Sequence, residues 1–126
     1  MSFQGISWVG HNVPDFKQSV EFFNDLAGLE LTHRDNETEV AHFRLGNGDI
    51  FEVFGPSHPE EADRGQQLAM AFEVDDLEKS RAEMEARGVN FVTKIETWKD
   101  HAWCYFETPD GVVFEIKQSG RRPERS

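Results

Sequence analysis

Two stretches of this chain carry nearly the same text sixty residues apart, and that repeat limits the fold more than any other feature. Val13-Pro-Asp15-Phe16 opens one helical stretch and Val74-Asp-Asp76-Leu77 opens another, an offset of 61. Ala27-Gly28-Leu29-Glu30-Leu31 closes the first and Arg87-Gly88-Val89-Asn90-Phe91 closes the second, an offset of 60. Gly48-Asp-Ile-Phe-Glu52-Val53 recurs as Gly111-Val-Val-Phe-Glu115-Ile116, an offset of 63. Three landmarks in one order at near-constant spacing mark an internal duplication.

Each copy spells a strand, a helix and three strands. Ile6 to Val13 is a β-branched and aromatic run, a strand. Asp15 is a good N-cap, and Gln18 three residues on completes a capping box. Phe16, Val20, Phe23 and Ala27 follow at helical spacing and give one apolar stripe, which Gly28 ends as a left-handed cap. Leu29–Arg34, Glu39–Leu45 and Asp49–Phe54 read as the remaining strands, with Asn47-Gly48 as a two-residue hairpin turn. In the second copy Leu68–Val74 is a strand and Asp75 is expected to cap a helix, with Glu78 at the capping-box position. Leu77 and Met84 mark its buried face and Gly88 its end, followed by strands Phe91–Thr97, Ala102–Glu107 and Val112–Lys117. The last two are joined across Pro109-Asp110-Gly111.

The expected organisation is one α+β domain over residues 1–126. It has a first module over about 5–54, an exposed connector over about 55–67, a second module over about 68–118 and a polar tail over 119–126. Four strands and one helix leave a sheet face uncovered. The economical solution pairs the modules so that a curved mixed sheet surrounds a shared cavity with the helices outside.

Charge narrows the function. With 13 Lys and Arg against 24 Asp and Glu, the formal net charge is −11, which repels phosphate backbones and anionic membranes. The single cysteine, Cys104, excludes an internal disulfide and a Cys-rich zinc site, and reads as a buried, inert thiol in a reducing, cytoplasmic setting. No apolar run has the length of a secretory signal or a membrane span.

The Val-x-Asp-Phe/Leu helix entries, the Gly-Leu/Val-x-Leu/Phe exits and Thr108-Pro-Asp-Gly-Val-Val-Phe-Glu115 resemble the vicinal oxygen chelate superfamily, across roughly Gly5 to Gln118. That group includes glyoxalase I, bleomycin-resistance proteins and extradiol dioxygenases. The resemblance implies metal ligands on the first and last strands of each half, at positions held here by Trp8, Glu52, Ala69 and Glu115. Histidine, or sometimes glutamine or glutamate, is usual at the first and third. An indole and a methyl group bind no metal, so the usual centre is expected to be absent. Two carboxylates alone would hold a divalent cation only loosely.

Histidines could restore a ligand set. His11, three residues from Trp8, faces the helix side by alternation. A two-residue turn at Asn47-Gly48 sets Phe43 opposite Glu52, which turns His42 away; a shifted register would bring His33, His42 or His101 inward. His58 and His101 read as solvated.

Three functions fit these residues. One is a metal-free binder that sequesters a small cationic or aromatic ligand, with Trp8, Phe43 and Phe54 as walls, Glu52 and Glu115 as polar groups, and Ala69 at the third ligand-like position. Another is an isomerase, epimerase or lyase using Glu52 and Glu115 as acid and base. The third is a metal-dependent lyase or dioxygenase with a different ligand set. Trp98, Trp103 and Tyr105 would line the cavity or a homodimer interface, and the partners expected are a small molecule and a second copy of the chain.

Overall fold

A computed structural model of the chain describes residues 2–58 and 66–120. The greater part of the expected connector and of the polar tail lies outside the described residues. The chain divides into two units, one running Trp8–Ala69 and the other made of Met1–Ser7 with Met70–Ser126.

The first unit carries strand β1 (Ile6–Asn12) from Trp8 onward, helix α1 (Phe16–Glu21), and strands β2 (Glu30–Asp35), β3 (Val40–Arg44) and β4 (Ile50–Phe54). Its strand order is β2-β3-β4-β1, antiparallel except for the parallel β4–β1 pair. The cap is the expected one: the side chain of Asp15 accepts from the backbone N–H of Gln18 at 3.0 Å, satisfying one of the helix's orphan donors. The helix then widens into a π-turn over Phe22–Leu26, where the N–H of Ala27 reaches back to the carbonyl of Phe22. One extra residue per turn rotates the stripe. Phe23 thus lies against Phe51 at a ring-centroid distance of 4.8 Å and against Phe43 at 6.2 Å, while Phe22 and Leu26 remain exposed. Gly28 ends the turn at φ +75, a conformation that costs a residue with a Cβ. The core between helix and sheet is Val13, Phe16, Val20, Ala41, Phe43 and Val53. Each of its larger side chains contributes roughly 1.5–3 kcal/mol by leaving water.

The second unit repeats the plan with β5 (Leu68–Glu73) from Met70 onward, α2 (Leu77–Ala86), β6 (Asn90–Phe91), β7 (Glu96–Trp98), β8 (His101–Glu107) and β9 (Val113–Gln118). The order β6-β8-β9-β5, with β5 and β9 parallel and β7 on β8, mirrors the first unit. Its core is Val74, Leu77, Met84, Cys104, Phe106 and Ile116.

Three local expectations are corrected. Asp76, not Asp75, caps α2, its side chain accepting from the N–H of Lys79 at 3.1 Å. The repeat itself equates Asp15 with Asp76, and only this cap sets Leu77 at the first buried helical position. The strand expected over Phe91–Thr97 is interrupted, because the Thr93 hydroxyl accepts the N–H of Tyr105 and the Thr93 carbonyl accepts from Arg81.

The third correction matters most. The Asn47-Gly48 loop holds three residues rather than two. Leu45 donates its N–H to the carbonyl of Asp49, Gly48 donates to the carbonyl of Leu45, and only Gly48 has positive φ, +87. That is a type I turn closed by a left-handed glycine. Thr108, Gly111 (φ +83) and Val112 build the same loop in the second unit. The first hairpin therefore pairs His42 with Glu52 and Phe43 with Phe51.

Candidate functional site

The register decides which side chains share a face. Phe51 and Val53 of β4 turn toward α1, so Glu52 and Phe54 take the opposite face. Parallel pairing sets Gly10 of β1 beside Glu52. Trp8, two residues earlier, projects to that same face and lies across Gly10. A Cβ at Gly10 would come within 2.7 Å of Cζ2 of Trp8 and 2.8 Å of Cε2 of Phe54, so glycine is what lets the ring lie there. The Trp8 Nε1–H donates to Oε1 of Glu52 at 2.6 Å. Trp8 is 5% exposed, with Phe54 tilted against it at 6.1 Å. It fills space and offers no open wall. Phe54 is also stacked by His58 at 4.1 Å, so that histidine is not simply solvated.

His42, expected to turn away, stands on this face with Nε2 3.2 Å from Oε2 of Glu52. The two side chains keep 15% and 16% exposure. Indole and imidazole thus hold the carboxylate from both oxygens and leave it an edge toward solvent. The indole bond to the charged carboxylate is worth about 1.5–3 kcal/mol.

A second histidine joins them by an irregularity in β2. Leu31 pairs with Phe43, yet His33 pairs with His42, so Thr32 is an extra residue. Plain alternation would send His33 to the helix side together with Leu31. The bulge instead carries His33 onto the Glu52 face, where its ring lies 5.0 Å from that of His42. Arg34 is returned to the helix side, its guanidinium over the Phe16 ring at 5.5 Å.

Of the residues expected at a site, the structure brings together Trp8, Glu52 and Phe54. Phe43 is corrected: it lies fully buried among the helix-side core residues, on the face away from Glu52. Ala69 is buried on β5. Glu115 is 4% exposed on β9, in register with Ala71 and Tyr105. His11 takes the helix side as expected, edge-on to Phe23 at 6.3 Å. Trp103 donates its indole N–H to Glu96 at 3.1 Å, and Trp98 stacks on His101. Cys104 is buried in the second core, where loss of hydration pushes its thiol up to about 11.

The residues present do not fit the metal that the superfamily implies. Trp8 has only a donor, Ala69 only a methyl group, and one oxygen of Glu52 is committed to the Trp8 indole. Among the described residues no three or more His, Cys, Asp or Glu are arranged to hold an ion.

Against known proteins, residues 5–116 match the model of the Glyoxalase/Bleomycin resistance protein/Dioxygenase superfamily. The chain belongs to that superfamily. It is 30% identical over 115 residues to the uncharacterized protein YraH of Bacillus subtilis, covering 82% of this chain and 90% of that one. A 2-epi-5-epi-valiolone epimerase from an Actinomyces species is 27% identical, with 86% of this chain and 75% of that protein covered. Among solved structures, a Streptomyces coelicolor methylmalonyl-CoA epimerase variant bound to 2-nitronate-propionyl-CoA superposes with a TM-score of 0.76 at 19% identity, over 98% of this chain and 100% of that one. The structural likeness confirms the α+β fold of the superfamily and carries no activity with it.

Proposed function

We propose that this chain is a small-molecule-binding member of the superfamily that works without the usual metal centre, taking a cationic, aromatic ligand at the His42–Glu52 edge of its first module. The carrying observation is the 2.6 Å bond from the Trp8 indole to Glu52. It commits one carboxylate oxygen to a donor that no metal can replace without moving the ring. The other oxygen keeps a partly open edge beside His42, suited to an ammonium or amidinium group. A net charge of −11 also favours a cationic ligand. Binding by a homodimer is part of this proposal, and sedimentation velocity checks it. No helix among the described residues is long and apolar enough to cross a membrane.

Titrating phenethylamine into ¹⁵N-labelled protein containing EDTA tests the reading. Amide shifts should cluster at Gly10, His42 and Glu52, saturate without added metal, and vanish in Glu52→Gln. Saturable binding that needs a divalent ion, or that survives Glu52→Gln unchanged, would refute it.

One observation favours a second reading. An imidazole and a carboxylate 3.2 Å apart can pass a proton, and epimerases stand among the relatives. Isomerisation beside a carbonyl would then use Glu52 as base with His42 as its proton partner. Methylmalonyl-CoA incubated with the protein in D₂O reports this directly: deuterium entering at C2, lost in Glu52→Gln, supports it, and no exchange above the buffer rate rejects it.

A further inference from the structure

The bulge at Thr32 changes which side chains of β2 share a face. Leu31 already pairs with Phe43, and the strand could have continued in plain alternation. What the extra residue achieves is to move His33 from the helix side to the face that holds Glu52, against the ring of His42. The result is an imidazole on one side of His42 and a carboxylate on the other. These two groups differ in what they read: a carboxylate only accepts hydrogen bonds, while an imidazole N–H donates and its unprotonated nitrogen accepts. Glu52 alone would take any amine of suitable size. A neighbouring imidazole adds a test for oxygen beside the nitrogen.

We propose that His33 is a specificity-determining residue of this face, contacting a hydroxyl or carbonyl oxygen next to the ligand's cationic group, so that the site selects amino alcohols and aminoketones over plain amines. This rests on the reading that Glu52 receives the cation. His42 is the positioning residue between them. Held at 3.2 Å by Glu52 and lying 5.0 Å from the His33 ring, it fixes the spacing of acceptor and donor.

A matched pair of probes isolates the claim: phenethylamine, and 2-amino-1-phenylethanol, which adds one hydroxyl on the carbon beside the aminomethyl group. Dissociation constants for both are measured by NMR titration with the wild-type chain and with His33→Ala, His33→Gln and Glu52→Gln. One added hydrogen bond should make the wild type prefer the hydroxylated amine by about five- to tenfold. In His33→Ala that ratio should fall to about one, whatever change the lost contact with His42 makes to phenethylamine binding. In His33→Gln, whose amide again offers donor and acceptor, part of the preference should return. A purely structural role for His33 would weaken both amines together and leave the ratio alone. If both amines bind, Glu52→Gln abolishes them, and His33→Ala leaves the ratio unchanged, this inference is overturned while the Glu52 reading stands. If neither amine binds at this face, the Glu52 reading itself has failed and the role of His33 falls with it.

Discussion

The bond between Trp8 and Glu52 predicts a specific energetic coupling. Trp8→Phe keeps an aromatic ring over Gly10 but deletes the indole N–H, and Glu52→Met keeps the side-chain length but deletes the acceptor. A hydrogen bond to a charged group is worth about 1.5–3 kcal/mol. The 2.6 Å distance and the burial of Trp8 argue for the upper part of that range, while the 16% exposure of Glu52 lets water replace some of it. Trp8→Phe also leaves unfilled volume beside Phe54, so its total cost should reach about 2–4 kcal/mol, or roughly 8–15 °C in Tm for a chain of this size. The contact itself is read from the double-mutant cycle. Urea unfolding of wild type, both single variants and the double variant should give a coupling of about 1.5 kcal/mol or more. A coupling below about 0.5 kcal/mol, the scatter of unconnected sites, would mean that the indole and carboxylate do not act as a pair.

Other outcomes follow from the same structure. Gly10→Ala should cost about 1–3 kcal/mol by overpacking Trp8 and Phe54, and less in a Trp8→Phe background where Cζ2 is gone; equal costs in both would refute the close approach. Asp76→Ala should lower stability by about 0.5–2 kcal/mol in urea melts and Asp75→Ala by less than about 0.5, because only Asp76 caps α2. Cys104 should resist a thiol reagent such as DTNB at pH 8 in the folded chain and react at once in urea. Its thiol titrates higher folded than unfolded, so stability should be intact below the unfolded value near 9 and decline as pH rises toward about 11. Cys104→Ser should remove that alkaline loss in pH-dependent melts; an identical decline would assign it elsewhere.

The duplication made most of the fold legible. Caps at Asp15, stops at Gly28 and Gly88, and the strand–helix–strand–strand–strand order of each unit are local signals whose physics acts within a few residues. The site was less legible because it depends on two single-residue insertions. Asn-Gly favours a two-residue turn, but Gly46 before it lets Gly46-Asn47-Gly48 form a three-residue loop, and that one residue exchanges Phe43 for His42 opposite Glu52. The second unit held the missing signal. Pro109-Asp110-Gly111 is plainly three residues, and transferring its length across the repeat gives the observed register. The bulge at Thr32 left no such mark, since Leu31-Thr32-His33 reads as an ordinary strand and its irregularity arises only from pairing with β3. The π-turn at Phe22–Leu26 is similar: four aromatic or aliphatic residues at near-helical spacing do not reveal which ring the core will accept.

The central claim is that Trp8 and His42, not a metal ion, hold Glu52. Calorimetric titration of the EDTA-treated, dialysed chain with Ni(II), Zn(II) and Mn(II), in wild type and Glu52→Gln, tests it most directly. The structure predicts no stoichiometric, saturable heat that depends on Glu52 with any of the three. One ion bound per wild-type chain with micromolar or tighter affinity, and lost in Glu52→Gln, would contradict the account.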